Sequence, residues 1–279
     1  VAADDPILVF GATGTHGGAV ARALIAEAVP VHAFVRDPRS QRAQSLAESG
    51  ATLVRGDLDD ERSIVQALEA VSRAYLVTTP FEGGAETEQR QGEAVVRAAI
   101  RAELSWLIFA SVAAAERATV AHFVSKAHIE RRLSESPLAW TVLAPSYFYE
   151  NVLGARDAIS NGELPLAVPT DTPVHQIALA DLGAVVAAVL RRQEEHQGIR
   201  VELAADAPTP REMAAALGVR HIQTPIAEVR ERSNDLADMY SFLAEEGYGI
   251  DVTAVRQRYP EVPWTTFAAW AASLNREAW

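Results

Sequence analysis

The chain has 279 residues, 49% of them hydrophobic, with 37 acidic against 25 basic residues and a net charge of −12. That length carries one full α/β core and a small appended unit, while the acidic balance argues against nucleic acid or an anionic membrane as a partner. The absence of cysteine excludes disulfides, thiolate metal sites, iron–sulfur clusters and a cysteine nucleophile. No apolar run is long enough to span a bilayer, and no charged-then-apolar leader precedes the first strand, so the expected location is the cytoplasm.

The first strand, Ile7–Phe10, stops abruptly at Gly11-Ala12-Thr13-Gly14-Thr15-His16-Gly17-Gly18, and a helical pattern over Gly17–Ala28 follows. Glycine accepts the angles of a tight turn and sets no Cβ against a phosphate. The helix behind it aims free N–H groups and a positive dipole end at the same place. Strand, glycine turn and helix read as the opening unit of a dinucleotide-binding Rossmann fold. Gly11, Thr13, Gly14, Thr15, His16 and Gly17 are its candidate binding residues.

The second strand, Val31–Val35, ends at Arg36-Asp37-Pro38-Arg39. An arginine there suits the 2′-phosphate of NADP(H), and an acid suits the 2′-hydroxyl of NAD(H). Arg36, with Arg39 expected one helical turn away, favours NADP(H); Asp37 keeps NAD(H) as the alternative. A helix over Arg39–Ser49 and a third strand over Thr52–Val54 lead to Gly56-Asp57-Leu58, where Asp57 and Leu58 can meet the adenine amine and ring. After a helix over Glu61–Ala70, the fourth strand, Ala74–Val77, runs into Thr78-Thr79-Pro80, beside the path of the nicotinamide ribose. A helix over Ala85–Ala102 precedes the fifth strand, Trp106–Ala110, which ends at Ser111. A helix over Val120–Ser134 carries His122 and Lys126. The sixth strand, Trp140–Ala144, ends at Pro145-Ser146-Tyr147-Phe148. Several of these strands are unbroken apolar runs, as in a parallel sheet covered on both faces. Ligands of such sheets lie beyond the carboxyl ends of the strands, so these segments converge on one cleft.

Beyond Pro145 the rhythm breaks. Asn161-Gly162, Pro165, Pro169 and Pro173 mark loops. A helix over Asp181–Arg192, capped by Ala180-Asp181, and a strand over Arg200–Leu203 follow. Thr209-Pro210-Arg211-Glu212 has the pattern of a capped helix start. The last sixty residues read as mostly helical, and their aromatic residues Tyr240, Phe242, Tyr248, Trp264, Phe267 and Trp270 as core. The fold class is α/β: a doubly wound parallel Rossmann sheet with a smaller, mostly helical C-terminal substrate domain. The first domain takes residues 1–150, with 174–204 packing back onto it; 151–173 and 205–279 form the substrate-covering part.

Lys126 is the single lysine of the chain. Arginine therefore serves wherever a generic positive charge is needed, and a lone ammonium marks a place where a planar, permanently charged guanidinium does not serve. The plain alternative is a solvated lysine paired with Glu130 at i,i+4. His122, His128 and Glu130 follow no familiar metal-ligand spacing, and no metal is expected.

The glycine turn, Val35-Arg36-Asp37, Gly56-Asp57-Leu58, His122-Phe123-Val124-Ser125-Lys126 with Glu130, Trp140 to Asn151, Gln176-Ile177 and Ala180-Asp181-Leu182-Gly183 together resemble the NmrA-like family, an atypical branch of the short-chain dehydrogenase/reductases. The resemblance covers most of the chain and weakens after about Arg220. It implies an NAD(P)H-dependent oxidoreductase acting on a quinone or conjugated aromatic carbonyl, among them tailoring enzymes of aromatic polyketide pathways; an oxygenation step in such a pathway is a further alternative, for which the sequence carries no flavin, haem or metal signature. It also includes redox-sensing regulators that bind the dinucleotide without turning it over. Ordinary short-chain dehydrogenases carry Tyr-x-x-x-Lys, whose lysine lowers the phenol's pKa. Here His122 stands four residues before Lys126. Three readings stay open: Lys126 acts alone, His122 gives the proton, or a quinone needs no protein acid. Tyr147 is a further catalytic candidate, and Ser111 matches the serine position of the superfamily. The expected partner is a small aromatic or quinone substrate, with the protein a monomer or homodimer.

Overall fold

In the computed structural model residues 5–275 are described. Residues 1–4 and 276–279, the outer ends of the two expected domains, lie outside the described residues. The elements alternate from the start: β1 (Ile7–Val9), α1 (Thr15–Ala26), β2 (Val31–Val35), α2 (Gln41–Glu48), β3 (Thr52–Arg55), α3 (Glu61–Leu68), β4 (Arg73–Val77), α4 (Gly84–Arg101), β5 (Trp106–Ala110), α5 (Ala121–Ser134) and β6 (Trp140–Pro145). Then come β7 (Tyr147–Phe148), a 3-10 helix (Tyr149–Ala155), α6 (Arg156–Ser160), β8 (Glu163–Leu166), β9 (Gln176–Ile177), α7 (Leu179–Arg191), α8 (Gln193–His196) and β10 (Ile199–Leu203). The chain closes with α9 (Pro210–Ala216), β11 (Arg220–Gln223), α10 (Ile226–Arg232), α11 (Asn234–Glu245), α12 (Val252–Arg258) and α13 (Phe267–Ser273).

Seven strands form one sheet in the order β10-β6-β5-β4-β1-β2-β3, with every pairing parallel. Strand residues alternate between its faces. Ile7 and Val9 join one apolar layer with Val20, Leu24, Leu46 and Leu182; Leu8 and Phe10 join the other with Ile64, Val95, Ile129 and Leu133. Helices α1, α2 and α7 therefore cover one face, and α3, α4 and α5 the other, which is why β1 is apolar throughout. Gly183 lets α7 lie directly on α1, since a Cβ there would stand 2.5 Å from Ala23 Cβ. The strand order reverses between β1 and β4, and the carboxyl ends at that point open into a crevice.

The boundaries correct three expectations. Helix α1 begins at Thr15 rather than Gly17, so the N–H groups of Thr15 and His16 belong to its first turn. Helix α2 begins at Gln41, which leaves Arg39 in the turn before it. Helix α7 begins at Leu179 behind Ala178, and Asp181 does not cap it. The Asp181 carboxylate instead accepts from the Thr265 N–H and hydroxyl, both at 2.8 Å, and ties α7 to the C-terminal segment. At α9 the expected capping box is present: Thr209 Oγ1 accepts from Glu212 N, and Glu212 accepts from Thr209 N. Two short parallel ribbons, β7 with β9 and β8 with β11, were not anticipated. No helix among the described residues is long and apolar enough to cross a membrane.

Candidate functional site

A cleft of about 1010 Å³ opens at the carboxyl ends of the strands. Gly11, Thr13, Gly14, Thr15, His16 and Gly17 line one end, with Arg36, Asp57 and Leu58 beside them. Thr78, Thr79, Pro80, Ser111, His122, Lys126, Pro145, Tyr147 and Phe148 line the rest. The sheet topology thus assembles residues from six separate strand ends.

The glycine turn is built for an anion. Gly14 N donates to Gly11 O at 2.9 Å and closes the turn. Gly11 has φ +66° and needs glycine. Gly17 lies so close to the turn that a Cβ would stand 2.4 Å from Gly11 O, whereas a Cβ on Gly14 would meet only Gly11 O, at 3.2 Å. Gly17 therefore packs helix against turn, and Gly14 faces open space. Helix α1 has no capping side chain and no acid in its first turn, unlike α3, which Asp60 caps and Glu61 follows. Its first N–H groups and dipole end are available to a phosphate.

Asp37 does not line the cleft. Its Oδ1 accepts from Arg39 N at 2.9 Å, and Ser40 Oγ donates to its carbonyl, so it organises the turn before α2. Arg39, expected beside Arg36, stands away from the cleft because the helix starts two residues beyond it. Arg42, in the first turn of α2, lines the cleft instead. Arg36 is engaged at the mouth by Glu82, N to O 3.0 Å.

Lys126 is buried, and its partner is not Glu130. Its Nζ donates to Glu88 Oε1 at 2.7 Å, with Thr78 O and Oγ1 each at 3.4 Å. Glu88, on α4, is fully buried and also accepts from Thr78 Oγ1 and Ser125 Oγ. Such a charge is tolerated inside a protein when it is paired and its lone pairs are filled. Glu130 turns the other way, to Arg200 Nε at 2.8 Å and to the Ser111 hydroxyl. Ser111 is thereby engaged beneath the cleft.

His122 Nδ1 lies 2.6 Å from Asp235 Oδ2, and its backbone N donates to Asp235 Oδ1 at 3.1 Å. Burial lowers the pKa of His122, and Asp235 opposes that shift. His16 Nε2 lies 2.7 Å from the Tyr75 hydroxyl, and its ring stands edge-on to Phe148. Burial, with the Lys126 ammonium, holds His16 down to about 3, so it is neutral at physiological pH. Tyr147 Oη lies 3.3 Å from Tyr240 Oη. Burial pushes both phenols up, so they act as neutral donors, not as phenolates. Tyr240, expected as core, lines the cleft with Leu236 and Met239; Tyr248 is core as expected and also borders the cleft, and Phe242 and Phe267 are core as expected. No group of acids and histidines among the described residues could hold a metal.

Glu88, Asp235, Arg42 and Glu82 were missed by sequence reasoning. Glu88 alone left a signal: it falls on the buried face of α4 with Gly92, Val95 and Ala99.

Residues 3–271 match the model of the NmrA-like family. The chain belongs to that family. NmrA-like relatives include Quinone oxidoreductase 2 of Escherichia coli (strain K12), 28% identical over 215 residues, 76% of this chain and 73% of that one. The NAD(P)H azoreductase of Xenophilus azovorans is 29% identical over 252 residues, 81% of this chain and 79% of that one. Among solved structures, the NADPH-dependent quinone oxidoreductase of Escherichia coli complexed with NADPH superposes with a TM-score of 0.80 at 26% identity, covering 95% of this chain and 98% of that one. This NmrA-like chain thus shares its overall fold with a protein solved in complex with NADPH.

Proposed function

We propose that this chain, an NAD(P)H-dependent oxidoreductase, transfers hydride from NADPH to a quinone or conjugated aromatic carbonyl. One observation carries the reading: a single cleft joins an uncapped glycine-loop helix N-terminus, through the lone lysine, to a wall of aromatic side chains. A dinucleotide fits the residues present. Gly14 and the first turn of α1 would hold the pyrophosphate, Arg36 and Arg42 the 2′-phosphate, and Asp57 and Leu58 the adenine. NADH binds in the same place without the arginine contacts. When bound, the cofactor supplies the hydride.

The rest is the work of side chains. Lys126 is held by Glu88 at 2.7 Å, its two longer contacts to Thr78, at 3.4 Å, are the ones a nicotinamide ribose hydroxyl would replace, and Thr78, Thr79, Pro80 and Pro145 form the floor around it. Phe148 and His16 border the nicotinamide end. Tyr147 and Tyr240 donate hydrogen bonds to a substrate oxygen, and residues 151–173 and 205–275 cover the substrate and exclude water through Leu236, Met239, Tyr240 and Tyr248. Aromatic polyketide ketones belong to the same chemical class, and the aromatic wall supports them alongside simple quinones. The test is NADPH oxidation by the intact protein across a panel of quinones and aryl enones. Turnover of several flat acceptors, with NADPH preferred over NADH, supports the reading; tight NADPH binding with no acceptor reduced overturns it.

A further inference from the structure

Hydride delivery to a conjugated carbonyl leaves a negative oxygen that must acquire a proton, and the cleft offers few donors. Lys126 is engaged by the fully buried Glu88 at 2.7 Å. Tyr147 is a phenol made less acidic by burial and by the neighbouring Tyr240 and Tyr248. Ser111 is bound to Glu130. His122 differs from all three. It lines the cleft, its Nδ1 lies 2.6 Å from Asp235 Oδ2, and its Nε2 has no hydrogen-bond partner among the described residues. The ring is fenced by Phe123, perpendicular at 4.8 Å between centroids, and by Phe81 at 6.2 Å.

Asp235 belongs to α11, and both its oxygens converge on one residue of α5: Oδ2 on the ring and Oδ1 on the backbone N–H. We propose that His122 is the proton donor of the reaction and that Asp235 is its positioning residue, fixing Nδ1–H so that Nε2 faces the substrate. This rests on the reductase reading above. The charged groups facing the ring are Asp235 from α11, Lys126 from its own helix and Glu88 from α4. Burial keeps the resting ring neutral at physiological pH, and a proton taken up there settles on Nε2, on the cleft side.

The step balances. Two electrons and one hydrogen pass from the cofactor into the conjugated system, so the substrate is reduced and the cofactor oxidised. The carbonyl π pair moves onto oxygen as the new C–H bond forms. The resting ring carries its proton on Nδ1 only, so His122 first takes a solvent proton onto Nε2 and becomes an imidazolium held by Asp235; after hydride transfer that Nε2–H bond breaks, its proton joins the substrate oxygen, and the ring returns to the neutral Nδ1–H form. A quinone, whose reduced anion is stabilised by resonance, depends less on this proton than an enone does.

Two readouts test the dyad. Imidazole ¹⁵N NMR of the cofactor-free protein should show His122 with its proton on Nδ1, and D235N, which keeps an acceptor for the backbone N–H, should lower the His122 pKa by about one unit or more. In turnover, the rate with an aryl enone should fall as pH rises, D235N should move that fall toward acid, and H122Q should lose about a hundredfold or more with the enone and much less with a quinone. An Nε2–H tautomer, or a titration unchanged in D235N, overturns the dyad even if the protein reduces quinones. Equal losses in H122Q with both acceptors overturn the donor role. An intact Nδ1–H tautomer in a protein that reduces nothing would sink the reductase reading, and the donor role with it, while leaving the His122–Asp235 contact standing.

Discussion

Two glycines three residues apart at the same turn, Gly14 and Gly17, should respond in opposite ways to a side chain. Gly14 has φ −79° and ψ 170°, extended backbone that any residue adopts, and an added Cβ meets only Gly11 O at 3.2 Å. Gly14→Val should therefore cost the fold about 1 kcal/mol or less. Its branched side chain occupies the space over the helix N-terminus where the pyrophosphate belongs. Gly17→Ala sets a methyl 2.4 Å from Gly11 O, 2.7 Å from Gly11 C and 3.1 Å from Phe10 O, all backbone. The turn must move, at a cost of about 1–3 kcal/mol. Thermal melts with and without NADPH separate the two. A ligand at a hundred times its Kd stabilises by about 2.7 kcal/mol, which at about 2–4 °C per kcal/mol is roughly 5–10 °C for wild type. Gly14→Val should melt within a few degrees of wild type and show no shift with NADPH. Gly17→Ala should melt lower in both conditions. A Gly14→Val protein with a full NADPH shift would refute the phosphate placement.

Lys126→Met leaves the buried Glu88 charge unpaired and should destabilise by about 3–5 kcal/mol in chemical denaturation; adding Glu88→Gln should restore stability without restoring turnover. Arg36→Ala should weaken NADPH by roughly ten- to a hundredfold in calorimetric titration while NADH changes little. Glu82→Gln, which removes an exposed competitor for Arg36, should tighten NADPH by up to about fivefold. His16, His122, His175 and His196 are all held down by burial. Below about pH 6.5 the unfolded chain therefore takes protons that the folded protein refuses, and stability should fall as pH drops from there. Glu150 and Asp181, raised by burial above the ordinary carboxylate range, oppose this once the pH has fallen far enough for the folded protein to protonate them before the unfolded chain does. Melts between pH 7.5 and 5 check the slope, and His16→Leu should flatten it.

The first half of the fold was legible because its signals are local. A strand ending in glycines, an arginine after the second strand and a lone lysine each carry meaning within a few residues. What the sequence hid depends on distant partners. Nothing near Asp235 shows that it meets His122, 113 positions away. Glu88 is one of several glutamates on α4, and only the helix orientation sets it against Lys126. The exchange of Arg39 for Arg42 turned on where α2 starts, which Ser40 decides by accepting from Ala43 N. The ribbons β7–β9 and β8–β11 pair segments of two to four residues whose prolines and polar residues read as loop.

The central claim is that this cleft brings NADPH and a flat acceptor together for hydride transfer. Rapid mixing of the intact protein with one equivalent of NADPH, deuterated at the transferred position, and then with an excess of quinone tests it most directly. The expected result is loss of the dihydronicotinamide absorbance in a single phase, matched by quinone reduction and slowed by deuterium. Stable absorbance with every quinone and aryl enone, despite tight NADPH binding, would contradict it and make the protein a nucleotide sensor.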